Sequence, residues 1–444
     1  MTASRQSPKN TQSPFSTTIT ASEKPPASGG LPVVGNTIEF LTGGLDALER
    51  FKEYGNIVRY RAVGNEFVVI FDPTLVSAVL LEQNDLFEKG PFETEFLELL
   101  GPTNVVAASG TEWKQLREAM GPAFRPEQLE NHRKTIRDTT RTALNRWISA
   151  DVVDCYTAAT ELTLTILCNT LFSINQSDER HTVIRSVANA IHKRSNLGAL
   201  GNLLPDWMPA TPTERRYRQT MAVFDDLVAE ILEERRNATD PPEDVLSALL
   251  AEPNIDDSTI RDQLTALLFA GHETTAITLG YALWLIAGTQ SVATEIRSAV
   301  PETTAPIENA ITETLRLYPP IHSLYRTPCQ PVQCNGYRLP ADTTIQLPVY
   351  SLHRDNRWWT KPDAFMPNRW TDRSPQECSA YLPFGRGPRH CLGMRFATTE
   401  LTEILRVCLA EATFERRTVD PKTEAKAFLT PDRLDCVVTP VGTD

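Results

Sequence analysis

The chain has 444 residues, 56 of them acidic and 44 basic, for a formal net charge of −12. A chain of this length can bury a large cofactor, but the acidic balance excludes the basic face that nucleic acid requires. No stretch of about 18 consecutive apolar residues occurs, and residues 1–30 have no apolar signal-peptide core, so neither a membrane anchor nor secretion is expected.

In chain order, residues 1–23 are rich in Ser, Thr, Gln and Pro and are expected to form a disordered tail, because they cannot bury enough apolar surface to offset their ordering entropy. Pro25-Pro26 and Leu31-Pro32-Val33-Val34-Gly35-Asn36 make a turn-rich entry. Ile57–Val63 and Glu66–Phe71 alternate as two short strands about a Gly64-Asn65 turn. After Asp72 the periodicity is helical to about residue 318. Its longest apolar stretch opens at Thr259 with a Thr-x-x-Asp capping box to Asp262 and continues through Ile286. A helix apolar nearly all round lies in the core of a large protein. Strand-like alternation returns from Tyr337 to Tyr350, after an Asn335-Gly336 turn. The expected fold is mainly α with small β-sheets (α+β), with residues 24–444 as one large domain.

The eight cysteines, at 155, 168, 329, 334, 378, 391, 408 and 436, have neither the spacing of a disulfide framework nor a Cys-x-x-Cys pair. Reduced thiols in a cytoplasmic protein are the expectation. One of them stands apart. The stretch Phe384-Gly385-Arg386-Gly387-Pro388-Arg389-His390-Cys391-Leu392-Gly393 is a turn-rich loop just before an apolar-periodic run, Phe396 to Leu409. A cysteine at a helix N-terminus is favoured as thiolate, and a thiolate in a protected loop suits a metal. Haem iron accepts such a ligand. An isolated Cys-x-Gly would read as a buried structural cysteine; six fixed positions in ten do not.

Three further constellations stand out. Ala270-Gly271-His272-Glu273-Thr274-Thr275 puts a carboxylate and hydroxyls inside the apolar helix, which is costly unless they are paired or functional. Thr274 can bond the Ala270 carbonyl and open the helix there, and a plain satisfied kink is the bland alternative. Glu313-Thr314-Leu315-Arg316 places opposite charges on one helical face, a weak signal by itself. Trp113 and Arg117, four residues apart, share a helix face.

Together, Phe384, Gly385, Gly387, Arg389, Cys391 and Gly393 resemble the haem-binding signature of the cytochrome P450 superfamily. The resemblance implies a single domain around a buried haem b, with Cys391 as the axial iron ligand. It implies that Glu273 and Thr274 are the acid–alcohol pair that delivers protons, with His272 a packed neighbour. Glu313 and Arg316, with Arg369 of Phe365-Met366-Pro367-Asn368-Arg369-Trp370, would form a structural triad locking the cysteine loop. Trp113, Arg117, Arg326 and Arg389 would hold the haem propionates, and Ala270, Phe384, Gly385 and Gly393 would line the haem. Substrate contacts would come from Phe92, Phe96, Val105, Val106, Leu267, Gly271, His322, Leu324 and Leu429. The departures are mild: Asn368-Arg369-Trp370 for the commoner Glu-Arg-Phe, and Glu for Asp at 273.

The implied activity is hydroxylation or epoxidation of an apolar substrate, a lipid, terpenoid or steroid-like molecule, using O2. Electrons from NAD(P)H would arrive through a separate ferredoxin or flavodoxin and its reductase, since no flavin or ferredoxin domain follows the cysteine. Lys114, Arg117, Arg386 and Arg395 would give that partner a basic patch. A monomer is expected. The alternatives are a haem-thiolate isomerase, dehydratase or peroxygenase that does not use O2, and a haem sensor without turnover. The Glu273–Thr274 pair argues against the first group.

Overall fold

The structure is a computed structural model that describes residues 13–32, 34–196, 211–300 and 302–442. The helices that build the site are α1 (Gly110–Met120), α2 (Pro126–Ile148), α3 (Cys155–Leu171), α4 (Glu179–Ser195), α5 (Pro212–Asn237), α6 (Asp257–Gly271), α7 (Glu273–Ala287), α8 (Ala305–Leu317) and α9 (Met394–Glu411). Strands are few and short, as expected. The chain gathers into two compact units, one comprising Met1–Gly90, Tyr325–Pro348 and Arg386–Pro388, the other comprising the remaining segments. Each unit is assembled from alternating pieces of the chain, so no single cut separates them.

The first unit is the β-rich one. Its larger sheet has the order β2 (Ile57–Ala62), β3 (Asn65–Ile70), β9 (Thr344–Leu347), β6 (Leu324–Pro328), β4 (Phe87–Glu88). β2 and β3 pair antiparallel from Ile57↔Ile70 to Ala62↔Asn65, and β3 runs parallel to β9. The hairpin turn is Val63-Gly64, one residue earlier than the sequence suggested, with φ of 50° and 78°. Both central residues of such a tight turn need positive φ, and a β-branched valine is an uncommon occupant. A smaller sheet joins β1 (Phe15–Ser16) to β7 (Val332–Cys334) and β8 (Tyr337–Leu339). This corrects part of the expected disordered tail. Phe15 is 2% exposed and packs edge-on against Phe87, so residues 13–23 contain a paired strand, while residues 1–12 lie outside the described residues. The aromatic side chain supplies the burial that the Ser/Thr-rich composition concealed.

The second unit is helical. The stretch read as one long helix is two, α6 and α7, joined at His272. Thr274 Oγ1 donates to the Ala270 carbonyl at 2.8 Å and Thr275 Oγ1 to the Gly271 carbonyl at 3.1 Å, back-bonds that bend a helix. The cap of α6 also differs from expectation. Asp256 accepts from the Thr259 N–H at 2.8 Å, whereas Asp262 is taken up by the Thr103 N–H and hydroxyl at 3.1 and 2.8 Å. Gln263 adds a bond from the Val105 N–H, so two polar residues of α6 pin the loop at 101–108. α7 lies close against α3: a Cβ on Gly280 would stand 3.0 Å from the Cα of Tyr156. That approach sets the start of α3 against the middle of α7, from where the Tyr156 side chain reaches Glu273. The strands β5 (Val153–Asp154), β10 (Ala412–Arg416) and β13 (Asp435–Pro440) form one sheet of this unit, and β11 (Thr423–Ala425) and β12 (Leu429–Pro431) another. Among the described residues no single helix is long and apolar enough to cross a membrane.

Candidate active site

Cys391 is held by its loop before α9. Its N–H donates to the Phe384 carbonyl at 2.9 Å, closing the loop on itself. Gly385 and Gly387 adopt φ of 68° and 72°, and a Cβ on Gly387 would collide with the Leu80 carbonyl at 1.8 Å. Glycine is therefore required at 387 for close approach as well as for backbone angle. The Cys391 side chain is exposed, though protein crowds it on its other sides. Burial pushes the thiol above its usual range, while the Gly393 N–H and the Arg117 cation pull the other way and do not win. A bound metal favours the thiolate, because it deprotonates a coordinating thiol outright.

Beside the cysteine stands a cationic group. Arg117 Nη1 donates to the His390 carbonyl at 3.0 Å, and Arg389 Nη2 to the Ala108 carbonyl at 2.8 Å. Both guanidiniums lie over the Trp113 ring, at 5.8 and 4.7 Å from its centroid. Among the described residues Arg117 makes no ion pair with a carboxylate. Arg326 lies on β6 in the first unit, 8% exposed, with Nη1 on the Tyr325 carbonyl at 2.6 Å. Lys114 and Arg395 are exposed, and Arg386 is half-buried.

On the α6–α7 helix pair, Leu268 is fully buried and Phe269 8% exposed, yet Ala270 is exposed and Leu267, Gly271 and Thr274 are half-buried. These four residues form one helical stripe that the protein leaves uncovered. Glu273, next to it, is 3% exposed. The Tyr156 hydroxyl donates to its Oε1, His192 Nδ1 stands 3.5 Å from the same oxygen, and His272 Nε2 is 3.7 Å from Oε2. His272 is packed, with Nδ1 donating to the Leu268 carbonyl at 2.6 Å. Tyr156 and His192 escaped the sequence reading because they sit on α3 and α4 with no local signal.

Glu313, Arg316 and Arg369 meet. Arg316 holds both oxygens of Glu313, at 3.0 and 2.9 Å, and Arg369 Nε donates to Oε1 at 2.9 Å. The Met366 N–H and the Trp370 indole complete the shell at 3.1 and 2.9 Å. Glu313 and Arg316 are both 0% exposed, and every polar atom of this cluster has a partner, the condition under which a buried pair is tolerated. Trp370 explains the unusual Trp in the Asn-Arg-Trp sequence. His353, also missed, links the cluster to the cysteine loop: Nδ1 donates to the Arg316 carbonyl at 3.2 Å, and Nε2 accepts the Leu382 N–H at 2.9 Å. Burial, helped by Arg316, lowers its pKa to about 3, so it works as a neutral ring.

Of the residues expected to contact substrate, Phe92, Phe96, Val105, Val106, His322 and Leu324 are half-buried. The Phe96 ring meets Phe269 edge-on, and Phe269 packs at a tilt against Phe428, two aromatics the sequence reading omitted. His322 Nε2 is engaged by the Lys426 carbonyl at 3.0 Å. Leu429 is only 1% exposed and packs in the core of its unit, and its N–H donates to the Pro320 carbonyl. Leu324 Cδ1 lies 3.7 Å from where a Cβ on Gly385 would stand, so it borders the cysteine loop.

The donor set tests whether these residues suit a haem. Among the described residues no cluster of three His, Cys, Asp or Glu side chains could hold a metal ion, so a metal at Cys391 needs its other ligands from a prosthetic group. One sulfur, adjacent guanidiniums and an uncovered apolar helix stripe match a macrocycle with one axial protein ligand and anionic substituents. The residues fit the group.

Fold and site together describe an α-rich protein with a cysteine in a glycine-bearing loop and a hydroxyl-carrying helix break. The cytochrome P450 family model matches residues 25–437, and the chain belongs to that family. It is an oxygenase, and membership brings with it haem, O2 and a supply of reducing equivalents. Cyclooctat-9-en-7-ol 5-monooxygenase of Streptomyces melanosporofaciens is 29% identical, over 85% of this chain and 87% of that protein. Pentalenene oxygenase of Streptomyces avermitilis is 27% identical, over 90% of this chain and 92% of that one. The solved structure of a retinoic acid-bound cyanobacterial CYP120A1 superposes with a TM-score of 0.81, covering 94% of this chain and all of the other at 22% identity, which supports the fold.

Proposed function

We propose that this protein is a haem-thiolate monooxygenase that hydroxylates or epoxidises a cyclic terpenoid hydrocarbon or alcohol. Cys391 is the axial ligand, and Arg117 and Arg389 hold the propionates with the Trp113 indole. When bound, the haem supplies the oxidising chemistry on O2. The chain's own residues do the rest. Thr274, tied to the Ala270 carbonyl at 2.8 Å, presents its hydroxyl at the uncovered stripe and hands on protons; Glu273, screened from solvent behind it, supplies them. The observation that carries this reading is that pairing at the helix break. An isomerase, a peroxide-driven enzyme or a sensor has no use for a carboxylate buried at a cost beside a hydroxyl.

The apolar stripe with Phe92, Phe96, Val105 and Val106 suits a substrate with little polar surface. Two relatives are named for an unsaturated alcohol and a hydrocarbon, which supports a terpenoid substrate. Electrons come from a ferredoxin or flavodoxin with its NAD(P)H-dependent reductase, attracted by Lys114, Arg117 and Arg395 on an otherwise acidic protein. The test is turnover of a panel of cyclic terpenes, pentalenene included, with NADPH and a surrogate ferredoxin and reductase under 18O2. One 18O atom per product is expected. Product that forms equally without O2, or carries only water oxygen, overturns the reading.

A further inference from the structure

The Glu273 carboxylate is shut in, with 4% of its side chain exposed, so a proton it gives away has to be replaced through a neighbour. The groups that face it come from every element packed around the helix break. Tyr156 at the start of α3 donates to Oε1, His272 at the α6–α7 junction stands near Oε2, and His192 in the last turn of α4 stands near Oε1. Asp154, the N-cap of α3, accepts from the Tyr156 N–H and raises the Tyr156 hydroxyl further. Two of the three neighbours cannot bring a proton in. Burial, with Glu273 adding to it, pushes the Tyr156 hydroxyl far up, so it stays a fixed donor. His272 is 4% exposed, its Nδ1 is committed to the Leu268 carbonyl, and burial lowers its pKa.

His192 differs on each point. Its side chain is 28% exposed. Among the described residues its Nδ1 is buried without a hydrogen-bond partner, 3.5 Å from Glu273 Oε1, a short side-chain movement from a normal bond of about 3.0 Å. Nε2 receives the Asn196 amide at 2.8 Å, which leaves the ring proton of the neutral form on Nδ1, facing the carboxylate. The helix termini assist: His192 lies at the negative end of α4 and Glu273 at the positive end of α7.

We propose that His192 is the proton entry residue for Glu273, with Tyr156 as the positioning residue that fixes the carboxylate. The ring takes a proton from solvent at Nε2 as the Asn196 amide swings aside. The imidazolium then gives its Nδ1 proton to Glu273 Oε1, leaving a neutral carboxylic acid and a neutral ring protonated on Nε2. Release of the Nε2 proton and uptake of one at Nδ1, on a ring rotation that turns Nδ1 to solvent, restore the starting tautomer. The inference rests on the reading of Glu273 as proton donor to the site.

Two measurements test it. The first is 15N NMR of His192 in the reduced, carbon monoxide-bound protein at a pH where the ring is neutral. The Nδ1–H tautomer is expected, and its dominance should disappear in Glu273→Gln; a dominant Nε2–H form in the native protein overturns the proposal even if the variants below fail to fold. The second is product formed per NADPH consumed, using the best-turned-over terpene of the panel. His192→Gln keeps a polar side chain of similar reach but cannot ferry a proton, and should lower that ratio about tenfold with an unchanged carbon monoxide spectrum. Tyr156→Phe should lower it less. If His192→Gln matches the native ratio while Glu273→Gln does not, the entry role is wrong and the function stands. If Glu273→Gln also matches it, the underlying reading is wrong.

Discussion

Thr274 and Cys391 do their work through atoms the sequence already placed, because each depends on neighbours within a few positions. The Thr274 hydroxyl reaches back four residues to Ala270, and the Cys391 N–H reaches the carbonyl of Phe384 in the same loop. Glu273 shows where such reading stops. Its partner Tyr156 is 117 positions away, and only the close packing of α3 on α7 at Gly280 brings the two together. Exchange of Thr274 for Ala should leave haem content unchanged but divert NADPH to hydrogen peroxide. A fall in product per NADPH of about tenfold or more is expected from the loss of a placed proton donor. Peroxide release measured beside product checks it, and an unaltered ratio would remove Thr274 from the proton path.

At the level of elements, the Glu-x-x-Arg helix α8 was legible as a motif, but its wiring was not. The sequence pairs Glu313 with Arg316 and Arg369; the structure adds the Trp370 indole and the Met366 N–H, so one carboxylate accepts from four residues. Losing one donor to a buried charge costs less than losing the charge that all of them face. Trp370→Phe should destabilise by about 1–3 kcal/mol, and Glu313→Ala by about 3–5 kcal/mol, with haem loading falling in the same order. Urea unfolding together with haem content measures both, and equal losses in the two variants would contradict the wiring. The α6–α7 break was harder to see. An apolar run with threonines fits one bent helix or two, and only the back-bonds at Ala270 and Gly271 decide. The cap at Asp256 was missed for a related reason. Asp256, Asp257, Ser258 and Thr259 can all cap, and Asp262, which completed the expected box, belongs instead to a contact with Thr103 that no local rule reveals.

Across the whole molecule, composition announced an α-rich fold with small sheets, while burial of single residues inside polar segments stayed hidden, as with Phe15 in the Ser/Thr-rich N-terminal stretch. Buried titration is another property of the whole fold. His353 has a pKa of about 3 when folded against 6.5 when unperturbed. Between those values the unfolded chain binds the extra proton, so the contribution of His353 is fully present above about pH 6.5 and is lost as pH falls toward 3. The slope is up to about 1.4 kcal/mol per pH unit. Urea midpoints between pH 7 and 4.5 should fall more steeply for the native protein than for His353→Gln, which should be the less stable of the two at pH 7. Parallel pH profiles would contradict the neutral, buried role of the ring.

The central claim is that Cys391 ligates haem iron through its sulfur, and the carbon monoxide difference spectrum of the reduced protein, recorded beside Cys391→Ser, tests it most directly. A strongly red-shifted Soret band that is lost in the variant is the expected result. A band typical of histidine-ligated haem, identical in both proteins, would contradict it.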